Sequence, residues 1–305
     1  HDKKKQRVTA ERMAKCLEVI GQVLLMDENG RSQFLKNRGY GIVLYGLTCP
    51  EYIVRNQTTM AITQSVMIDI KSKETFSTDE ILSLLINNVN KSEFKQDRHE
   101  MEIKYNSALA LSGLCFRPIG YKKIVTYDEK LQIAKITHKN QLRIFKLGGL
   151  SKADKLLEPM KDVESASFRV LPLRIGLRLL IDVCNQNRDI QTYLMSKMMD
   201  CICCNNILAK NYGTDVDVLA LELIAALCAK NPDAQKLAVQ HNVNHFILGT
   251  ILKKSNIDKR VMLACGRALF CMGENNDAHK AAIVKLMREN YLHALPKLKT
   301  FFARR

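Results

Sequence analysis

The chain of 305 residues carries 47 Lys and Arg against 31 Asp and Glu, a formal net charge of +16, and 47% of it is apolar. That apolar share is ample for a core and excludes disorder of the whole chain. An aromatic content of 6%, with no Trp, 6 Pro and 14 Gly, excludes the alternating, turn-punctuated pattern of an all-β protein, so helix is the default expectation.

Residues 1–7 are a basic run without the apolar stretch of a signal peptide and are expected to be flexible. Residues 8–30 read as a helical cap, periodic from Ala10 to Met26. From Arg31 a short helix is followed by one that opens on Gly39-Tyr40-Gly41. Those glycines do not make a dinucleotide fingerprint, since no strand precedes them and the next one, Gly46, is wrongly spaced. Residues 71–78 and 87–96 are polar and aperiodic, the pattern of loops. Between residues 121 and 147 there is more helix than one short element needs, which reads as an insertion.

The second half repeats. Asn187-Arg188-Asp189, Asn231-Pro232-Asp233 and Asn275-Asn276-Asp277 follow one another at a step of 44 residues, and Leu180, Ile224 and Ala268 keep the same step. In each copy the Asn-x-Asp stops one helix, and its Asp is expected to cap the next, whose first N–H groups need an acceptor. Pro232 suits a first helical turn, where its missing N–H costs nothing. Ala220, Ile224, Leu227 and Cys228 fall on one helical face, which must bury against neighbours.

Three helices in about forty residues, the last reading A-L-x-x-L, resemble the armadillo repeat. The residues that carry the likeness are Ala110-Leu111-Ser112-Gly113-Leu114, Leu147-Gly148-Gly149-Leu150, Ala225-Ala226-Leu227 and Ala268-Leu269-Phe270. The resemblance implies an all-α, right-handed solenoid in a single domain, with repeats at 31–71, 72–116, 117–186, 187–230 and 231–274 and caps at 8–30 and 275–302. It also implies that the third helix of each repeat lines a concave groove for extended peptides. By register the groove positions are Leu109, Gly113, Arg178, Asp182, Glu222, Ala226, Cys265 and Leu269. Arg174 and Arg178, one turn apart, would project together and grip carboxylates or phosphates. Arg267 interrupts an apolar helix, so it either pairs with a carboxylate or emerges into the groove.

Nuclear-import receptors of this superfamily hold basic peptides with Trp and Asn ladders. This chain has no Trp, shows no Asn ladder, and is itself basic. The expected partner is therefore an acidic or apolar protein segment, and the function a non-catalytic scaffold. Basic clusters at Arg169, Lys253, Lys254, Lys259 and Arg260 keep a second reading open, nucleic acid or an anionic membrane surface.

Other chemistry is weakly signalled. The 10 Cys sit mostly in apolar stretches and read as buried free thiols of a reducing compartment, cytosolic or nuclear. The sequons at Asn56 and Asn90 carry no weight in such a compartment. Cys201, Cys203 and Cys204 with His241 and His245 have the residue types of a zinc site, but the repeat register explains them as helix packing. No Ser or Cys stands on the strained turn of a nucleophile, and nothing calls for a cofactor or a metal.

Overall fold

The computed structural model describes residues 2–67, 70–90, 98–115, 127–151, 157, 170–199, 207–208, 212–248, 258–274 and 276–290, and every regular element among them is a helix. The chain divides into two compact units, His1–Ala153 and Asp154–Arg305. In the first unit lie α1 (Asp2–Met26), α2 (Glu28–Lys36), α3 (Gly39–Thr48), α4 (Tyr52–Val66), α5 (Ile70–Phe76), α6 (Asp79–Asn90), α7 (Arg98–Cys115) and α8 (Tyr127–Lys146). The second holds α9 (Leu171–Cys184), α10 (Arg188–Met199), α11 (Thr214–Cys228), α12 (Pro232–Gln240), α13 (Val243–Phe246), α14 (Lys259–Gly273) and α15 (Asp277–Asn290). None of the described helices is long and apolar enough to cross a membrane.

Within each unit the long helices stack side by side, α1 on α4 and α4 on α7 in the first, α9 on α11 and α11 on α14 in the second. The reason is sequence periodicity. Ala10, Ala14, Leu17 and Leu24 are buried on α1, and Val54, Ala61, Ile62 and Val66 on α4, at the three- and four-residue spacings that share a helical face. Gly46 lets α3 approach α4, because a Cβ there would collide with the Thr58 side chain. In the second unit Leu180, Ile224 and Ala268 are all 0% exposed, one row through α9, α11 and α14.

Several expectations are corrected. Helix α1 starts at Asp2, so the basic segment expected to be flexible is helical backbone from that residue on. Helix α2 begins at Glu28, not Arg31, because the Asp27 carboxylate accepts the N–H groups of Asn29 and Gly30 and holds both inside the first turn. Residues 70–76 are helix α5 rather than loop, and Lys73 is 1% exposed there, donating to the Gly113 carbonyl at 2.5 Å. Residues 87–90 end helix α6, whereas 91–96 lie outside the described residues.

The repeated break also works differently from expectation. The capping acceptor is the Asn, not the Asp: Asn187, Asn231 and Asn276 Oδ1 accept from the N–H groups of Ile190, Ala234 and His279 at 3.4, 3.2 and 3.0 Å. Its amide is short enough to turn back on the third N–H while the chain stays extended. The cap of α15 is Asn276 rather than Asn275, so the step between caps is 44 residues and then 45. Asp233 instead bridges to Arg188 at 2.9 Å on the surface.

Immediately before two of these caps the backbone enters the left-handed region, at Gln186 (φ 59°) and Lys230 (φ 54°). That conformation costs an L-residue about 1 kcal/mol or more, partly offset by the extra freedom a Gly has when unfolded. Lys230→Gly is therefore expected to stabilise the chain by about 0.5 kcal/mol. A lower urea midpoint for that variant would refute it.

Candidate functional site

The stacked third helices α9, α11 and α14 carry most of the cations the sequence singles out. Arg174 on α9 and Arg260 on α14 both reach Asp215 on α11, at 3.6 and 3.0 Å. Arg260 also bridges to Asp258 at 3.2 Å, whose carboxylate caps α14 by accepting from the Arg260 N–H at 2.7 Å. These bonds from Arg260 hold the Asp258 carboxyl below its ordinary pKa. The resulting ladder, Arg174–Asp215–Arg260–Asp258, runs across the N-terminal ends of three successive helices. Beneath it is a cleft of about 380 Å³ lined also by Val170, Tyr212 and Thr214.

One turn further along α9, and about two turns further along α11 and α14, lies a second row. Arg178 and Glu222 occupy one position of the repeat, 44 residues apart, and Arg267 stands one residue past the next such position. Glu222 and Arg267 face each other at 3.8 Å, and Arg178 lies 3.3 Å from Asp182. Arg267 thus does both things the sequence left open, since its side chain is 59% exposed and still meets a carboxylate. Asp182 departs from its expected place on the open face: it is 6% exposed, as is Asp217 on α11, while Cys265 and Leu269 are core at 0% and 1%. Gly113 likewise packs against Val66 and Met67. Helix positions near the edge of a buried stripe change sides with a small rotation, which the repeat register alone does not specify.

With Asp182 and Asp217 buried, the carboxylates that these three helices and the N-cap of α14 show to solvent are Asp215, Glu222 and Asp258. The cations are Arg174, Arg178, Lys259, Arg260 and Arg267, so the presented face is positive. Arg169, Lys253 and Lys254 lie outside the described residues, as do Cys201, Cys203 and Cys204. Of the proposed metal ligands, His241 stands at the C-cap of α12 and His245 in α13, and the described residues hold no group of three His, Cys, Asp or Glu placed to bind a metal. The Cys184 thiol is pushed well above its ordinary pKa by burial, with Asp182 adding to the effect, and that of Cys265 up to about 12 by burial and Asp217. Both stay protonated and act as core side chains.

The third helices of the first unit have a different chemistry that sequence reading missed. Asn106 on α7 donates to Asn56 on α4 at 2.6 Å, and Asn56 donates to Glu102 at 3.4 Å. Beside them Gln22, Gln57, Met60 and Gln64 line a small cleft of about 110 Å³ between α1 and α4. This face is rich in amides. Asn56 and Asn106 are 50 residues apart, outside the 44-residue step, so a search at that step passes over the pair.

The sequence matches no protein-family model and no curated protein. Solved structures do match. A designed armadillo repeat protein in complex with a (KR)4 peptide superposes with a TM-score of 0.64 at 12% identity, covering 85% of this chain and 92% of its own. A second, computationally designed for modular peptide recognition, gives 0.62 at 12% identity over 84% and 92%. An engineered protein from a structural genomics programme gives 0.63 at 12% identity over 86% and 91%. At such identities the likeness is one of fold: the chain has the all-α solenoid fold of these armadillo repeat structures.

Proposed function

We propose that the chain is a non-catalytic scaffold and that the face formed by α9, α11 and α14 binds an extended acidic protein segment. The observation that carries this reading is the excess of exposed guanidinium groups on successive third helices, of which Arg174, Arg260 and Arg267 pair with the solvent-facing carboxylates Asp215 and Glu222. Such pairs are worth about 0.2–1 kcal/mol, so exchanging Asp215 or Glu222 for a ligand carboxylate costs little. Arg is suited to the task, because its planar fork donates two parallel N–H bonds to a carboxylate and keeps its charge. The designed relatives solved or built for peptide binding support a peptide as the class of ligand, and the (KR)4 binder among them takes the opposite charge. Alternation of Arg and Asp along the ladder argues against a nucleic-acid backbone, which asks for an uninterrupted cationic track.

The test is affinity capture with the wild-type chain and with Arg174→Glu/Arg178→Glu, repeated after nuclease treatment and in high salt. Bound proteins are expected to survive nuclease and to weaken at least about tenfold with the double variant, the effect of losing one charge-assisted bond or more. Capture abolished by nuclease would overturn the reading in favour of nucleic acid.

A further inference from the structure

A second cluster of cations lies in the first unit, on a helix whose charge the repeat register ignores. Helix α8 presents Lys135, Lys139 and Arg143 at four-residue intervals, which places them along one face. That face borders a cleft of about 370 Å³ closed on its other side by Glu74, Ser77 and Thr78 at the α5–α6 turn. Volumes of this size hold small ligands or single anchoring residues of larger ones. Arg143 is already engaged, donating to Asp79 at 2.6 Å and to the Ser77 carbonyl. Lys135 and Lys139 are exposed, and both line the cleft.

The lining also includes an acceptor that the fold leaves unused. Asn140 is 0% exposed; its Nδ2 donates to the Leu114 carbonyl at 3.1 Å, which fixes the amide's orientation, and its Oδ1 has no partner. A buried acceptor without a donor is unfavourable, so the cleft is more stable when something donates to it. The two free lysines ask for an anion, whereas Asn140 Oδ1 and the Glu74 carboxylate ask for N–H or O–H donors close by. A phosphate or carboxylate ion alone meets only the first need. An acidic residue within a polypeptide meets both, its carboxylate on Lys135 and Lys139 and a neighbouring backbone N–H on Asn140 Oδ1.

We propose that the cleft between the α5–α6 turn and α8 is a second binding site, for an acidic residue of a protein segment, with Lys135 and Lys139 holding the side chain and Asn140 Oδ1 the backbone. It is independent of the third-helix face of the other unit. The experiment uses a fluorescent octaglutamate peptide titrated by anisotropy into the full chain in the Arg174→Glu/Arg178→Glu background with Lys259, Arg260 and Arg267 also changed to Ala, which removes the cations of the other face from the measurement. Saturable binding is expected there, and a further Lys135→Glu/Lys139→Glu change should weaken it at least tenfold while circular dichroism stays unchanged. An octaglutamate methylated on its backbone nitrogens should also bind several-fold more weakly. Absence of binding in that background, no effect of the lysine changes, or equal affinity of the methylated peptide would each overturn the proposal. So would a 12-base-pair DNA duplex that binds more tightly and loses its binding with the same lysine changes.

Discussion

Asn231→Ala is expected to destabilise the chain by about 3 kcal/mol, far more than its neighbour Asp233→Ala. Asn231 is 0% exposed and uses both ends of its amide. Its Oδ1 caps α12 by accepting from Ala234 N–H at 3.2 Å, and its Nδ2 donates to the Arg188 carbonyl, Gln191 Oε1 and Thr192 Oγ1 at 3.1, 3.2 and 3.1 Å. Losing the cap costs about 1 kcal/mol. Leaving the acceptors of α10 without a donor in a buried site costs about 1–3 kcal/mol more. Asp233, by contrast, makes one surface ion pair with Arg188 in which both side chains are more than 60% exposed, worth at most about 1 kcal/mol. Urea unfolding followed by circular dichroism measures both variants, and equal losses would show that Asn231 does no more than an ordinary surface residue.

Ile224→Ala is expected to cost about 3–4 kcal/mol. Ile224 is 0% exposed at the centre of the row it shares with Leu180 and Ala268, so the deleted atoms leave a cavity that α9 and α14 cannot collapse into without moving as whole helices. In a repeat stack each helix buries its face only against its neighbours, so amide exchange should rise on α9 and α14 as well as on α11. Leu263→Ala, at a position 47% exposed on α14, should change stability by less than about 1 kcal/mol. An exchange increase confined to α11 would show that the three helices do not form one cooperative unit.

The repeat chemistry that joins these helices was half visible in the sequence. Gln191 and Gln235 stand 44 residues apart. In the structure each is almost fully buried: Gln191 donates to the Ala226 and Ala229 carbonyls at the end of α11 at 2.7 and 3.3 Å, and Gln235 to those of Cys228 on α11 and Cys271 on α14 at 3.0 and 2.9 Å. Their spacing marks them as repeat positions. Their role as bridges depends on where the helix ends arrive, and a carbonyl left over at a C-terminus carries no sequence signature.

What the amino-acid sequence determined by itself is periodic. Apolar residues at helical spacing, the Asn breaks and the 44-residue step dictate helices, their order and an armadillo-like stack, because burial of a repeated stripe has few other solutions. The tertiary structure alone decided which polar residues meet. Arg174 and Arg260 converge on Asp215 from two helices, and Asn56 meets Asn106 across 50 residues. Lys73 and Asn140 become buried donors to the carbonyls of Gly113 and Leu114. Such pairings are set by the rotation and axial offset of one helix against the next, quantities of a fraction of a turn that local propensity leaves free and only the packed neighbours select.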